Sequence, residues 1–509
     1  MNAALEKRIK RQVIGKPHRF MAVVPLGFEQ TLINEFLDIG IETTADLDHK
    51  TCDKAPSHPE RPFISGDGKV EFTAKLTEAW KAVAYSRIAN RILMEIGNFK
   101  AENFRDFEKK ASEIPWELYL DERTGYALQT KDERYLGNVI LSEAHRTKSK
   151  NPVNFCNPSL NIHVTCKHSR LYHSDAIAER LQKIIEGVSL PLTPADTASA
   201  TPSAGTPRNA PTQNLYVHFL DDRCTIWQDL AGEELDKRGH ERFVNEAPLK
   251  ETIASAMIFE AFHFLPSTSY CLLDLMAGSG TFSLEAAYIA NHLIPGSCRD
   301  FALKHQPAFK EATWKFLIRR ETRDERREKC ATVTLASHVI ASTQCEAIHQ
   351  PIITKIITSD ISERAIEIIK HNVECSPLAD IAPNAINPKI RDFFSYTAEE
   401  IANASKSKSH PIIILNPPYG KRLDFDAPRL YTRIGRKLKE LAHDLNAIGM
   451  QLTVAILSPK DDTRNGAKYT CTANLLHECP SISPEHNSTA KLIVTSHGGF
   501  SLNVFIAKI

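Results

Sequence analysis

Residues 270–290 read YCLLDLMAGSGTFSLEAAYIA. A strand-sized apolar run ends at Asp274, a Gly-Ser-Gly bend follows, and a helical period begins at Thr281. Strand, tight turn and helix open a unit of a parallel sheet, because a parallel partner strand needs a crossover connection. Glycines at 278 and 280 let the backbone turn sharply and approach a ligand, and the helix start presents free N–H groups. The dinucleotide pattern G-x-G-x-x-G is not completed, since Ser283 stands where the third glycine belongs. No G-K-[ST] follows, so a Walker phosphate loop is not encoded either. An ordinary βα turn would carry the same glycines, and the surrounding chain has to decide.

From about residue 250 onward, helices alternate with strands. KETIASAMIFEAFHF precedes the quoted strand; KIITSD, SERAIEIIKHNVE, PIIIL, LYTRIGRKLKELAHDL and QLTVAILS follow it. That alternation predicts a doubly wound, mostly parallel sheet. AKLIVTS and LNVFIAKI, separated by HGGFS, predict an antiparallel edge hairpin. An acid at a strand end beside a phosphate-free glycine bend suits a cationic cofactor such as S-adenosylmethionine, whose ammonium Asp274 would receive. Asp360 ends the next strand, where a carboxylate can take the hydrogens of a ribose diol. Asp392, in KIRDFFS, ends a third short strand and is placed for an adenine amino group.

The most specific segment is PIIILNPPYGKRL, residues 411–423. A buried strand runs straight into Asn416-Pro417-Pro418-Tyr419, and two prolines stiffen the loop and free its carbonyls from sheet pairing. The Asn416 amide oxygen and the Pro417 carbonyl can accept both hydrogens of a planar exocyclic amine. Such an amine is a poor nucleophile, and two fixed acceptors stabilise the charge that develops as it attacks a methyl group. Tyr419 can stack on the base that carries the amine, which must leave its own stack to react.

Length and composition bound the rest. The chain has 509 residues, 42% of them apolar, and 63 Lys+Arg balance 62 Asp+Glu to a net +1. This excludes wholesale disorder and a histone-like polycation, but not local basic patches. No apolar run approaches the roughly 18 residues of a membrane span, so no membrane partner is expected. The N-terminus lacks a secretory apolar region. Eleven cysteines are scattered from Cys52 to Cys479 without a C-x-x-C pair, so neither a disulfide framework nor a metal site is expected and a cytoplasmic setting is. Residues 1–19 read as a basic tail, 20–40 as strand, turn and amphipathic helix, and 76–95 as one long helix. Strands are expected near 125–130 and at 161–169, a helix at 175–188, and a hairpin in LYVHFLDDRCTIWQDL (215–230). The Pro, Thr, Ala and Ser-rich stretch 189–213 reads as a long loop within the second domain.

DLMAGSGTFSLEAA with NPPYGKRL resembles the amino-methylating branch of the class I S-adenosylmethionine-dependent methyltransferases. More narrowly, the chain resembles the THUMP-containing guanine-N2 RNA methyltransferases, in their bacterial large-subunit rRNA branch. LDKRGHERFVNEAPLKETIASA (235–256), GSCRDFALKHQPAF (296–309), KLIVTSHGGFSLNVFIAKI (491–509) and VVPLGFEQTLINEF (23–36) extend the likeness over nearly all residues from about 20. The resemblance implies a C-terminal doubly wound, Rossmann-like α/β sheet over 236–509. It implies an N-terminal α+β module ahead of it, ferredoxin-like at 20–70 and THUMP at 71–235. It implies cofactor contacts along Asp274, Met276, Ala277, Gly278, Ser279, Gly280 and Thr281, at Asp360 and Asp392, and at Asn416. Asn416, Pro417, Pro418 and Tyr419 would hold the target amine.

RNA would be gripped by the N-terminal half, with Arg146, Lys148, Lys150, Lys167 and Arg170 as phosphate contacts; the tail residues Lys7, Arg8, Lys10 and Arg11 are ambiguous. The expected reaction is methyl transfer to the N2 amine of a guanine in 23S rRNA, free or in an assembling large subunit. A tRNA guanine, or a non-catalytic RNA-binding assembly factor, are the alternatives. Two places depart from the family pattern: Ser362, where a second acid is common, and His305-Gln306, where tryptophan is. Fused relatives continue into a second methyltransferase, so one activity is expected here.

Overall fold

A computed structural model describes residues 3–43, 63–121, 160–188, 212–244, 248–264, 269–319, 352–405, 409–419, 426–461 and 470–509. The segment near 125–130, Arg146, Lys148, Lys150 and most of the 189–213 stretch lie outside them.

The N-terminal half folds around one seven-stranded sheet in the order β2-β3-β1-β4-β7-β6-β5. Its strands are β1 (Pro17–Val23), β2 (Phe63–Gly66), β3 (Lys69–Lys75), β4 (Arg91–Lys100), β5 (Leu160–Lys167), β6 (Gln213–Leu220) and β7 (Arg223–Asp229). Every pairing is antiparallel except that of β5 with β6. The expected hairpin is β6–β7, turned by Asp221 and Asp222 at φ 50° and 63°. Residue 70 falls inside β3, so the stretches expected as 20–70 and 71–235 share a continuous sheet.

Two readings of this half are corrected. Residues 1–19 are no tail: α1 (Ala3–Ile9) continues as a π-helical turn over Lys10–Ile14, and β1 begins at Pro17. Leu5, Ile9 and Val13 recur every four residues, and Ile9 and Val13 are buried beneath the basic face. Nor is 76–95 one helix. It divides into α3 (Leu76–Tyr85) and the start of β4, because the Glu35 carboxylate takes the Ser86 hydroxyl at 2.6 Å and the Arg87 N–H at 2.7 Å. Ile92, Leu93 and Met94 are all buried, so this strand is covered on both faces and its continuous apolar run lacks alternation.

The C-terminal half holds the expected α/β sheet, in the order β10-β9-β8-β11-β12-β14-β13. Its strands are β8 (Ser269–Asp274), β9 (Ile352–Asp360), β10 (Lys389–Ile390), β11 (His410–Leu415), β12 (Thr453–Pro459), β13 (Lys491–His497) and β14 (Phe500–Lys508). The first five are parallel and the last two form the antiparallel edge hairpin. Around it lie α6 (Glu251–Phe264), α7 (Thr281–Ala290), α8 (Glu311–Leu317), α9 (Glu363–Glu374), α10 (Ala398–Ser405), α11 (Ala427–Ala447) and α12 (Cys471–Glu478). In the first half α2 (Glu29–Asp38), α4 (Phe104–Ser112) and α5 (Ser174–Glu186) join α3.

One hydrophobic core runs through both halves, from Phe20, Phe36 and Phe72 to Leu272, Ile412 and Ile493. Helix α6 sits between them and is apolar nearly all round, as a helix buried on every side must be. Glu260 of α6 binds Thr31 of α2 and Lys491 of β13, the latter at 2.6 Å. Gly27 lies at φ 84° against β13, where a Cβ would meet the Val494 carbonyl oxygen at 2.5 Å. No larger residue fits that turn.

A buried ion-pair network ties the halves together. Glu285 of α7 accepts from Arg238 at 3.0 and 3.1 Å, from Arg87 at 3.5 Å and from Ser255 at 2.7 Å. Arg238 also reaches the Arg87 carbonyl oxygen at 3.0 Å. Burial alone would raise the Glu285 carboxyl; the charges of Arg238 and then Arg87 outweigh it and hold the group below its ordinary range. Replacing Glu285 with alanine strands two buried guanidinium groups, so urea denaturation should show a loss of about 3–5 kcal/mol. A loss below about 1 kcal/mol, the scale of a surface pair, would contradict the network's role.

Candidate active site

The site lies at the carboxyl ends of the parallel strands, where open α/β sheets place their ligands. Strand β8 ends at Asp274, whose side chain is wholly buried. Its Oδ2 accepts from the Ser283 N–H at 3.1 Å and the Ser283 hydroxyl at 2.7 Å, while Oδ1 is buried without a hydrogen-bond partner. Ser283 also bonds Thr358 of β9 at 2.8 Å. The residue that breaks the dinucleotide pattern is therefore the clamp of the strand-end acid. Burial pushes the Asp274 carboxyl up to about 7 against the two Ser283 bonds, and the nearby Asp360 charge adds to the rise.

The turn after Asp274 is closed by Gly280 N–H donating to Ala277 at 2.7 Å and Ala277 N–H donating to Ser359 at 3.0 Å. Gly280, at φ 77°, is also packed on α9, where a Cβ would stand 2.8 Å from Ile369. Met276, Ala277 and Gly278 are half-buried, while Ser279 and Thr281 are buried. Asp360 stands one strand over; its Oδ2 accepts the Gly278 N–H and its Oδ1 the Ser362 N–H, both at 2.9 Å. Ser362 caps α9 through the Ala365 N–H, a helix-starting role in place of a second acid. Asp392 follows the two-residue β10 and accepts from the Phe394 N–H at 3.0 Å. Three carboxylates thus line the ends of adjacent strands β8, β9 and β10.

Strand β11 pairs with β8 so that Ile414 lies beside Asp274, which carries Asn416 just past the strand end. The Asn416 Oδ1 is buried with no partner. Pro417 is buried and Pro418 exposed. The Pro417 carbonyl receives only a long bond, 3.4 Å, from the Tyr431 hydroxyl, which also reaches Leu457 at 3.3 Å. Tyr419 is half-buried, with its ring edge-on to Phe500 of the terminal hairpin at 6.0 Å. The structure so brings together Asp274, the glycine turn, Asp360, Asp392 and Asn416–Tyr419. Two unpartnered buried oxygens stand on neighbouring strand ends: a carboxylate that wants a cation and an amide oxygen that wants an N–H donor.

The basic residues are elsewhere. Lys167 is exposed at the end of β5, and Arg170 is engaged by Glu102 and, at 3.6 Å, by Asp222. Among the described residues no group of three or more His, Cys, Asp or Glu is arranged to hold a metal, and no helix is long and apolar enough to cross a membrane.

Residues 238–456 match the model of the UPF0020 family, described as an RMKL-like methyltransferase domain. This segment is similar to the UPF0020 methyltransferase domain. The matched segment thus opens on Arg238 of the buried network and closes within β12, and it includes Asp274, Asp360, Asp392 and Asn416. The ribosomal RNA large subunit methyltransferase K/L of Allochromatium vinosum is 26% identical over 79% of this chain and 45% of its own length. That of Shewanella sediminis is 24% identical over 90% of this chain and 52% of its own. The chain spans about half the length of these curated relatives. Among solved structures, SMU.472, a methyltransferase candidate crystallised with SAH, superposes with a TM-score of 0.59 at 20% identity, over 97% of this chain and 98% of that one. TrmN from Thermus thermophilus gives 0.50 at 13% identity, over 97% and 100%. The two-sheet architecture, and not the matched segment alone, is shared with both.

Asp274 makes stability depend on pH. Its folded-state value lies well above the ordinary carboxylate range, so its contribution is fully present in acid and is lost as pH rises through about 7. Asp274→Asn removes the buried charge, so the variant should be the more stable protein at pH 8, by about 2 kcal/mol or more, with the gap closing toward pH 5. Chemical denaturation across that range measures it, and a gap that does not change with pH would refute the buried charge.

Proposed function

We propose that this chain transfers a methyl group from S-adenosylmethionine to the exocyclic N2 amine of a guanine in 23S rRNA. The observation that carries the reading is the pair of open oxygens, Asp274 Oδ1 and Asn416 Oδ1, at the ends of two adjacent strands of a methyltransferase sheet. The residues fit the cofactor: a buried carboxylate for the ammonium, an acid one strand over for the ribose, and Asp392 beyond it for the adenine. Bound there, S-adenosylmethionine supplies an electrophilic methyl group on a sulfonium.

The chain's own residues do the remainder. Asn416 Oδ1 accepts one hydrogen of the target amine and the Pro417 carbonyl, with a lone pair to spare, accepts the other. Held so, the nitrogen points its lone pair at the methyl group and its developing positive charge faces two oxygen dipoles. Pro417 and Pro418 keep those dipoles from relaxing, and Tyr419, braced on Phe500, offers a face to the extruded base. Asn416 is no base; it stabilises charge. The N-terminal half, with its THUMP module at 71–235, docks the RNA, and Arg146, Lys148, Lys150, Lys167 and Arg170 contact its phosphates. The rRNA names of the curated relatives favour the large subunit over tRNA, and the open oxygens favour an enzyme over a silent assembly factor.

Asn416→Ala should lower turnover about 10²–10³-fold, the usual cost of one transition-state acceptor or donor, while SAH affinity stays within about twofold of wild type. Unchanged turnover would remove Asn416 from the chemistry. Mass mapping of methylated guanosines in RNA from cells lacking the protein should show a missing 23S mark; loss of a tRNA mark with rRNA intact would replace the substrate.

A further inference from the structure

The irregular segment that joins the two halves, Asp236–Val244, passes beside the glycine turn and is fastened at several points to the helices around it. Arg238 enters the Glu285 network, the Tyr288 hydroxyl meets His240 at 3.0 Å, and Arg242 bonds Thr281 at the start of α7 and pairs with Glu251. The last fastening is Asn372 of α9, which is wholly buried. Its Oδ1 accepts the Phe243 N–H at 2.8 Å. Its Nδ2 donates to the Phe243 carbonyl at 2.9 Å and to the Ser279 carbonyl at 3.2 Å.

A side-chain amide has two donors and one acceptor oxygen, and here both ends serve other segments of the chain. The Ser279 carbonyl belongs to the peptide between Ser279 and Gly280, whose N–H is held by Ala277 at 2.7 Å. Asn372 thus holds the carbonyl end of that peptide while Ala277 holds the other. A glycine peptide is otherwise free to rotate, so both anchors are needed to give the turn one shape. The same amide ties the joining segment to the turn. Phe243 stays 42% exposed, with its ring edge-on to His371 at 4.2 Å, and Val244 stays 44% exposed beside it. Two apolar side chains are thereby left exposed one amide away from the turn, where apolar surface in water is costly until something covers it.

We propose that Asn372 is a positioning residue for the S-adenosyl cofactor: it locks Ser279 and Phe243 together, so that the glycine turn and the segment beside it are formed before the cofactor arrives. The inference rests on reading the glycine turn as the cofactor site. Preformed geometry raises affinity by removing an ordering cost, without any contact between Asn372 and the ligand. Because the same segment runs on into Arg238, the seating of the N-terminal half and the shape of the cofactor cleft are set by one stretch of chain.

The test uses the whole chain and SAH as probe. Asn372→Asp keeps the size and the acceptor for Phe243 N–H but loses both donated bonds and faces two carbonyls. Calorimetry should show SAH affinity about tenfold weaker, the worth of one or two neutral hydrogen bonds. With protein-free 23S rRNA as acceptor, KM for the cofactor should rise in step while kcat stays within about threefold, a uniform-binding loss that general destabilisation does not produce. Hydrogen exchange should quicken in peptides covering 236–244 and 277–281 and not in β11 or β12. An SAH affinity within about twofold of wild type overturns the proposal by failing to register the lost bonds. If N372D does not fold, Arg242→Gln releases the segment at Thr281 instead and must give the same split between KM and kcat; an unchanged KM there overturns it. A wild-type chain that does not bind SAH overturns the cofactor reading itself, which the variants then cannot rescue.

Discussion

Glu285 carries the constraint on which the rest of the molecule depends. It is a carboxylate on the first helix after the glycine turn, out of water, facing arginines from two other parts of the chain. Arg87 arrives from the N-terminal half, at the end of α3, and Arg238 from the joining segment. A buried ion pair of this kind adds little net stability compared with an apolar filling, but breaking it is costly. What it supplies is position. Helix α7 can occupy only the place where both guanidinium groups reach its carboxylate, and α7 begins at Thr281, the residue that ends the glycine turn.

From that fixed helix the site is assembled by register. Ser283, in the first turn of α7, clamps the Oδ2 of Asp274 and leaves Oδ1 open. Strand β9 beside β8 brings Asp360 to the Gly278 N–H, and β11 on the other side brings Asn416 to the same level as the turn. Each of these groups sits on a strand end, and the strand ends are held by a sheet whose other edge is closed by the antiparallel pair β14 and β13. Chemistry at the top of the sheet is thus a by-product of packing below it.

Much of this was legible in the chain itself. The alternation of strands and helices after residue 250, the terminal hairpin, the glycine turn and the Asn-Pro-Pro-Tyr loop are local patterns, and local patterns survive folding. What could not be read depended on partners distant in sequence. The basic tail became a helix because Ile9 and Val13 found a core that the tail itself does not contain. The run 76–95 split because Glu35, far upstream, captures Ser86 and Arg87, and the apolar residues after it are covered on both faces. Ser283 looked like a defect in a nucleotide motif; only the fold shows it meeting Asp274. Asn372 gave no signal at all, since a lone asparagine late in an amphipathic helix resembles any polar surface residue until its burial is known.

The core shared by the two halves has a bearing on modularity. Helix α6 is coated on one side by α2 and on the other by the C-terminal sheet, and Gly27 leaves no clearance against β13. A module attached by a flexible tether can be exchanged for another during evolution without retooling its neighbour. This one cannot: any replacement N-terminal half would have to match the underside of α6 and reproduce the Gly27 contact and an arginine at the position of Arg87. The C-terminal half has in effect been fitted to a single companion, which can change on its outer surface but cannot be swapped.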